Sequence, residues 1–178
     1  MNILIKKFRI KSFKEDKPII ELKNLTISYG NRQIVENLNL NIRKSEICGL
    51  LGPNGAGKSS IYHSIIGLVK PSFGKVIIDG IDVTNVPTHI RCSKFGISWV
   101  PQYGGSWSDL SVYDNLMAIA ELNFNNKEER ISKVNNLIRK FELQNVTRLK
   151  SKFLSGGQLR KLTLAMAMVK NTNILILD

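Results

Sequence analysis

The sequence predicts an α/β fold built on a mostly parallel sheet, with an antiparallel β portion first and a helical segment inserted later. Three observations carry this expectation. Short apolar runs bounded by turn residues, Ile47-Cys48-Gly49-Leu50-Leu51 and Ile174-Leu175-Ile176-Leu177, read as buried parallel strands. The roughly alternating stretch from Ile19 to Tyr29, then Gly30-Asn31 and Gln33-Ile34-Val35, reads as a β-hairpin. Farther on, Ile131, Val134, Leu137, Ile138 and Phe141 recur at helical spacing behind the charged start Lys127-Glu128-Glu129-Arg130.

In chain order, residues 1–17 form a basic extension in which Lys6, Lys7, Arg9, Lys11, Lys14 and Lys17 face only Glu15 and Asp16. It is expected either to fray as a leader or, with Leu4, Ile5, Phe8 and Phe13, to lie on an anionic membrane surface. No long apolar core or small-residue cleavage site marks it as a secretory signal. Residues 18–178 then read as one incomplete domain. The hairpin opens it, and the strand at 47–51 feeds a helix from Lys58 to about Val69. Strands follow at Lys75-Val76-Ile77-Ile78-Asp79 and Gly96-Ile97-Ser98-Trp99-Val100, then a helical insert at about 111–155. A helix from Leu159 to about Val169 and a last strand at 173–178 close the chain.

Composition narrows the class. The 178 residues are 43% hydrophobic, yet no uninterrupted apolar stretch reaches the roughly 18 residues that a membrane-spanning helix needs. Cys48 and Cys92 lie far apart with no Cys-x-x-Cys or Cys/His cluster, which disfavours a disulfide framework and a structural zinc site and fits a reducing cytoplasm. The net charge of +12 suits nucleic acid, anionic lipid or nucleotide phosphates, and composition alone does not choose.

The choice comes from Gly52-Pro53-Asn54-Gly55-Ala56-Gly57-Lys58-Ser59, with Ser60 next. It matches the phosphate-binding pattern G-x-x-x-x-G-K-[ST] in full, between a buried strand and a helix start. Consecutive N–H groups converge on a phosphate only where no bulky side chain intervenes, and Gly55 and Gly57 give that clearance. The helix start adds a partial positive charge and Lys58 a full one. Lys58 is expected to bridge β- and γ-phosphates, and the Ser59 hydroxyl to ligate Mg2+. The expected fold is thus a P-loop NTPase with a RecA-like core, binding ATP and Mg2+.

A second small-residue turn before a helix, Leu154-Ser155-Gly156-Gly157-Gln158, makes another N-terminal anion site. Here the chain resembles the ATPase subunits of ABC transporters, whose signature is this pentapeptide shortly before the Walker B strand. The resemblance implies that the signature, Ser155, Gly156, Gly157 and Gln158, acts in trans on ATP held by a second subunit, so that two chains share two ATPs as a homodimer. It also implies roles for single residues. Tyr29 matches the aromatic that stacks on adenine. Gln102, in Val100-Pro101-Gln102, matches the Q-loop glutamine that touches Mg2+ and the attacking water. Asp178 matches the Walker B aspartate that holds the metal's hydration shell. Transmembrane permease subunits are expected against the segment 102–109, with no nucleic acid partner and a peripheral place on the cytoplasmic face of the inner membrane.

The family's general-base glutamate follows the Walker B aspartate, and its switch histidine lies farther on. Neither is in the chain, and His63 and His89 are not candidates. The chain is therefore expected to be a fragment resembling roughly the first three-quarters of the domain, able to bind nucleotide and poor at hydrolysis. Within the family, Leu110-Ser111-Val112-Tyr113-Asp114-Asn115-Leu116-Met117-Ala118 and the P-loop are similar to the ATPases of lipopolysaccharide export. ATPases of branched-chain amino acid importers are an alternative, as are ABC ATPases acting on ribosomes or nucleic acid. The departures are Ser108-Asp109, where export ATPases look basic, Met166 in place of an Arg, and Trp107 in place of a Phe. Trp107 is expected either in the core or in a groove for a membrane subunit.

Overall fold

The structure is a computed structural model that describes residues 3–9 and 17–178. The chain divides into two compact units, Met1–Phe95 and Gly96–Asp178. In the first, strands β2 (Pro18–Tyr29) and β3 (Arg32–Arg43) form the expected antiparallel hairpin, longer than its sequence signal. β5 (Phe73–Ile78) pairs antiparallel with the other side of β2, and the short β6 (Ile81–Asp82) extends the sheet, giving the order β3-β2-β5-β6. Alternation along β2 buries Ile20, Leu22, Leu25 and Ile27, and β5 adds Val76 and Ile78, as the two-residue period of a strand requires.

Strand β4 (Glu46–Leu51) corrects one expectation. It pairs antiparallel with β1 (Leu4–Arg9), Leu4 opposite Leu51 and Phe8 opposite Ile47. It was expected to be a buried parallel strand, but only one face of this ladder is covered, as antiparallel sheets allow. Leu50 is 9% exposed while Ile47 is 57% and Leu51 45% exposed. Part of the basic leader is therefore a strand and does not fray, with Lys7 donating to the Asn41 carbonyl and lying beside Glu46. Lys11, Phe13, Lys14, Glu15 and Asp16 lie outside the described residues.

Helix α1 (Lys58–Ile66) ends three residues before the expected Val69, because Gly67 at φ +93° takes the left-handed cap and its N–H bonds the His63 carbonyl. Its apolar face buries Ile61, Ile65 and Ile66. Helix α2 (Thr88–Phe95) had no counterpart in the sequence reading, and it buries Arg91 and Phe95. The Arg91 guanidinium donates to the Ser64, Ile65, Thr84 and Val86 carbonyls. By contrast the Ser64 hydroxyl, also fully buried, has no hydrogen-bond partner among the described residues. Its desolvation is uncompensated, so Ser64→Ala is expected to stabilise the protein by about 1 kcal/mol, read as a thermal midpoint raised by about 2–4 °C.

In the second unit, β7 (Ile97–Val100) and β8 (Ile174–Leu177) pair in parallel, Val100 beside Leu177. This is the only parallel pairing among the described strands. β8 buries Ile174 and Ile176 and exposes Leu175 and Leu177, so it is covered on one face. The helical stretch resolves into α3 (Val112–Asn123) and α4 (Lys127–Lys140), capped by the Ser111 and Asn126 side chains. Helix α5 (Gly156–Ala167) joins them around a core of Val112, Leu116, Val134, Leu137, Leu162 and Met166.

Candidate functional site

The loop at 52–59 leads from β4 into α1, as its pattern requires. Gly57 stands at φ +91°, and a Cβ there would meet the Val35 and Ile34 side chains at 2.8 and 2.9 Å. Both facts demand glycine. Gly55 also has positive φ, and a Cβ there would meet open space, so its job is backbone shape and a clear face. The Lys58 ammonium curls back over the loop and donates to the Gly52 and Pro53 carbonyls, each at 2.8 Å. A cation is thus already held at the mouth of the loop. Ser59 is exposed and Ala56 buried. This donor set fits a nucleotide polyphosphate: backbone N–H groups at a helix start, one ammonium and one hydroxyl beside it. Tyr29, half exposed at the end of β2, donates to the Ser60 hydroxyl at 3.4 Å, which sets an aromatic face beside the first turn of α1.

The second unit brings Gln102 and Asp178 to one end of its parallel pair. Asp178 follows β8, and its N–H donates to the Val100 carbonyl at 3.1 Å. Gln102 follows β7 and is exposed. The carboxyl ends of parallel strands are where open α/β sheets bind ligands.

The signature opens α5 itself, three residues earlier than the expected start at Leu159. Ser155 is the N-cap, accepting from the Gln158 N–H at 3.3 Å, while the Gln158 side chain accepts from the Ser155 N–H at 3.0 Å. This reciprocal capping box explains both polar residues of the pentapeptide, and its S-x-x-Q spacing was readable in the sequence. Gly156 and Gly157 face open space, with nothing near an added Cβ.

The segment 106–111 is fixed from beneath. Buried Asn115 donates to the Trp107, Leu110 and Ser111 carbonyls and accepts from the Trp107 N–H. The Ser151 hydroxyl adds a bond of 2.7 Å to the Trp107 carbonyl. The Trp107 ring is 47% exposed, which excludes the core placement. Asp109 bonds Lys152 at 2.6 Å with Lys150 at 4.0 Å. The Lys152 bond and charge hold the Asp109 carboxyl below the usual carboxylate range. Sequence reasoning missed the roles of Asn115, Ser151, Arg91 and Arg160, whose partners are mostly main-chain atoms that no residue pattern reveals.

Glycines cleared for a phosphate, a lysine held over the loop and a capped small-residue helix start define a P-loop protein with a second glycine-rich helix start. The sequence profile described as "ABC transporter" matches residues 35–178. The chain belongs to that family. It is 37% identical over 161 residues to the lipopolysaccharide export system ATP-binding protein LptB of Haemophilus influenzae, covering 90% of this chain and 66% of that protein. LptB of Escherichia coli K12 is also 37% identical, over 157 residues that cover 88% of this chain and 65% of that one. Among solved structures, cbiO1 of Clostridium perfringens, described as part of the ABC transporter complex cbiONQ, superposes with a TM-score of 0.78 at 25% identity, covering 92% of this chain and 66% of that one. The chain thus spans about two thirds of the length of these relatives.

Proposed function

We propose that this chain is the nucleotide-binding part of an ATPase that drives lipopolysaccharide export from the cytoplasmic face of the inner membrane. The observation that carries the transport part is its 37% identity to LptB across 90% of the chain. Departures at 107–109 are compatible with it. Asp109, acidic where the export ATPases look basic, is offset by Lys150 and Lys152, and Trp107 offers an exposed ring on a pinned backbone for a permease subunit docking at 102–109.

In this reading Lys58 leaves the Gly52 and Pro53 carbonyls for the β- and γ-phosphates, and Gly55 and Gly57 let the backbone N–H groups of residues 52–60 approach. Tyr29 stacks on adenine. Ser59, Gln102 and Asp178 are the residues that would hold the metal or its waters, and Gln102 would orient the attacking water. Bound MgATP supplies the phosphoanhydride that is cleaved. Ser155, Gly156, Gly157 and Gln158 serve the nucleotide of a second copy, the Ser155 hydroxyl keeping its proton for donation while its lone pair caps α5. Hydrolysis belongs to the complete protein, whose general base the family places after Asp178.

The test is co-expression of the tagged protein with lipopolysaccharide-export permease subunits or, separately, with branched-chain amino acid permease subunits, followed by purification from detergent-solubilised membranes. Retention by the export subunits alone is expected, weakened by Trp107→Ala. Retention by the amino acid permease instead, or salt-sensitive co-purification with RNA, overturns the reading.

A further inference from the structure

Tyr29 and Arg32 flank the turn Gly30-Asn31 as a directly opposed pair of the β2–β3 hairpin. Opposed residues of an antiparallel ladder project from the same face, with Cβ atoms about 4.5–5.5 Å apart. Two neighbours fix which face this is. Ile27, two residues before Tyr29 and so on its side of the strand, is fully buried, and the Tyr29 hydroxyl reaches Ser60 in the first turn of α1. On β3 the ladder passes from Gln33 to Val35 and skips Ile34, and an added Cβ on Gly57 would meet the Ile34 and Val35 side chains. The start of β3 therefore lies against the phosphate loop, and Arg32 leaves the hairpin on the loop's side, beside the tyrosine ring. Other strand cations of this unit lean on acids: Lys7 lies 3.9 Å from Glu46, Lys23 3.2 Å from Glu21 and Lys75 3.3 Å from Asp82. Arg32 is exposed, and no hydrogen bond or ion pair ties its guanidinium to another described residue.

We propose that Arg32 is a nucleotide-binding residue that grips the α-phosphate, as a second cation of the site besides Lys58. The inference rests on the function proposed above, in which Tyr29 stacks on adenine and Lys58 holds the β- and γ-phosphates. With the base on the tyrosine ring and the outer phosphates in the loop, the phosphate next to the sugar has to cross between Tyr29 and Gly57. Arg32 borders that crossing. Its planar fork matches two phosphate oxygens, which a lysine ammonium meets only as a point charge.

Calorimetric titration with MgATP and with MgADP tests this, at low salt and at about 0.5 M NaCl, which screens exposed charges. ATP and ADP share the α-phosphate, so Arg32→Gln is expected to weaken both by the same factor, about 10-fold at low salt. At high salt the factor is expected to shrink to about 3-fold or less. Arg32→Lys, which keeps the charge without the fork, is expected to regain part of the loss. Position 32 is exposed at the end of the hairpin, and an unchanged thermal midpoint reports that both variants are folded. Three results overturn the proposal. Affinities within about 2-fold of the wild type for both nucleotides make Arg32 a solvated edge residue. A loss for MgATP alone moves the contact to the γ-phosphate, and a loss that salt leaves untouched moves it to the neutral base or sugar. Failure of the wild type to bind MgATP overturns nucleotide binding itself, which a silent Arg32→Gln beside a weakened Lys58→Ala leaves standing.

Discussion

Lys58→Ala is expected to weaken MgATP binding by about 10²–10³-fold while leaving the fold in place. The side chain is the one full positive charge within the loop, and its ammonium is held at the loop's mouth by the Gly52 and Pro53 carbonyls at 2.8 Å. Binding exchanges those two neutral acceptors for charged phosphate oxygens. Hydrogen bonds between charged partners are worth about 1.5–3 kcal/mol each; taken in the lower part of that range, because the ammonium gives up two neutral acceptors, losing two costs about 3–4 kcal/mol, or two to three decades in Kd. Helix-dipole attraction at α1 remains and is the smaller part, about 0.3–1 kcal/mol. Stability is expected to change by about 1 kcal/mol or less, because Gly52 and Pro53 are exposed and water replaces the ammonium. Calorimetric titration with MgATP, beside a thermal melt, separates the two effects. A Kd within 3-fold of the wild type would remove Lys58 from the phosphate site.

How far the sequence alone reached depended on whether the chemistry was local. The P-loop and the signature are runs of adjacent residues whose small side chains and caps act within one turn of backbone, so both could be read directly, and Ser155 with Gln158 even spelled out the capping box. The end of α1 was readable too, since Gly67 is the left-handed terminator that a helix pattern running to Val69 ignored. Strand pairing was not. Ile47-Cys48-Gly49-Leu50-Leu51 has the composition of a doubly covered parallel strand, but partner and direction are long-range properties, and here the partner is Leu4–Arg9 in antiparallel register. Helix α2 escaped because one of its two buried residues is an arginine, which any hydrophobic pattern scores as surface. Trp107 could not be placed by type, since an indole suits a core or an interface equally.

The arginine in α2 leads to the largest stability effect expected in this chain. Arg91 is 1% exposed and spends its donors on carbonyls alone: Val86 at 2.7 Å, Ser64 at 2.7 Å, Ile65 at 2.9 Å and Thr84 at 3.1 Å. Ser64 and Ile65 belong to the last turn of α1, whose carbonyls lack helical partners, and a cation there also suits the helix dipole. Burial pushes the guanidinium below its ordinary pKa, but an arginine stays charged across any accessible pH. The site is reached only because Gly67 lacks a side chain, since a Cβ would sit 2.8 Å from Nε of Arg91. Arg91→Met keeps most of the volume and removes every donor, leaving the Ser64 and Ile65 carbonyls unpaired in a buried site and the Thr84 and Val86 carbonyls unpaired where they are half-buried. The expected loss is about 3–5 kcal/mol, a large part of the 5–15 kcal/mol typical of a whole domain. In urea this moves the unfolding midpoint down by roughly 1.5–2.5 M at a slope of about 2 kcal/mol/M. Arg91→Lys, which keeps the charge and fewer bonds, is expected to fall between. Because the defect lies at the far end of α1 from Lys58 and Ser59, the molecules that remain folded should bind MgATP with wild-type affinity, opposite to Lys58→Ala. A midpoint shift under about 0.5 M for Arg91→Met, equivalent to about 1 kcal/mol, would mean that water satisfies those carbonyls and that the clamp is dispensable.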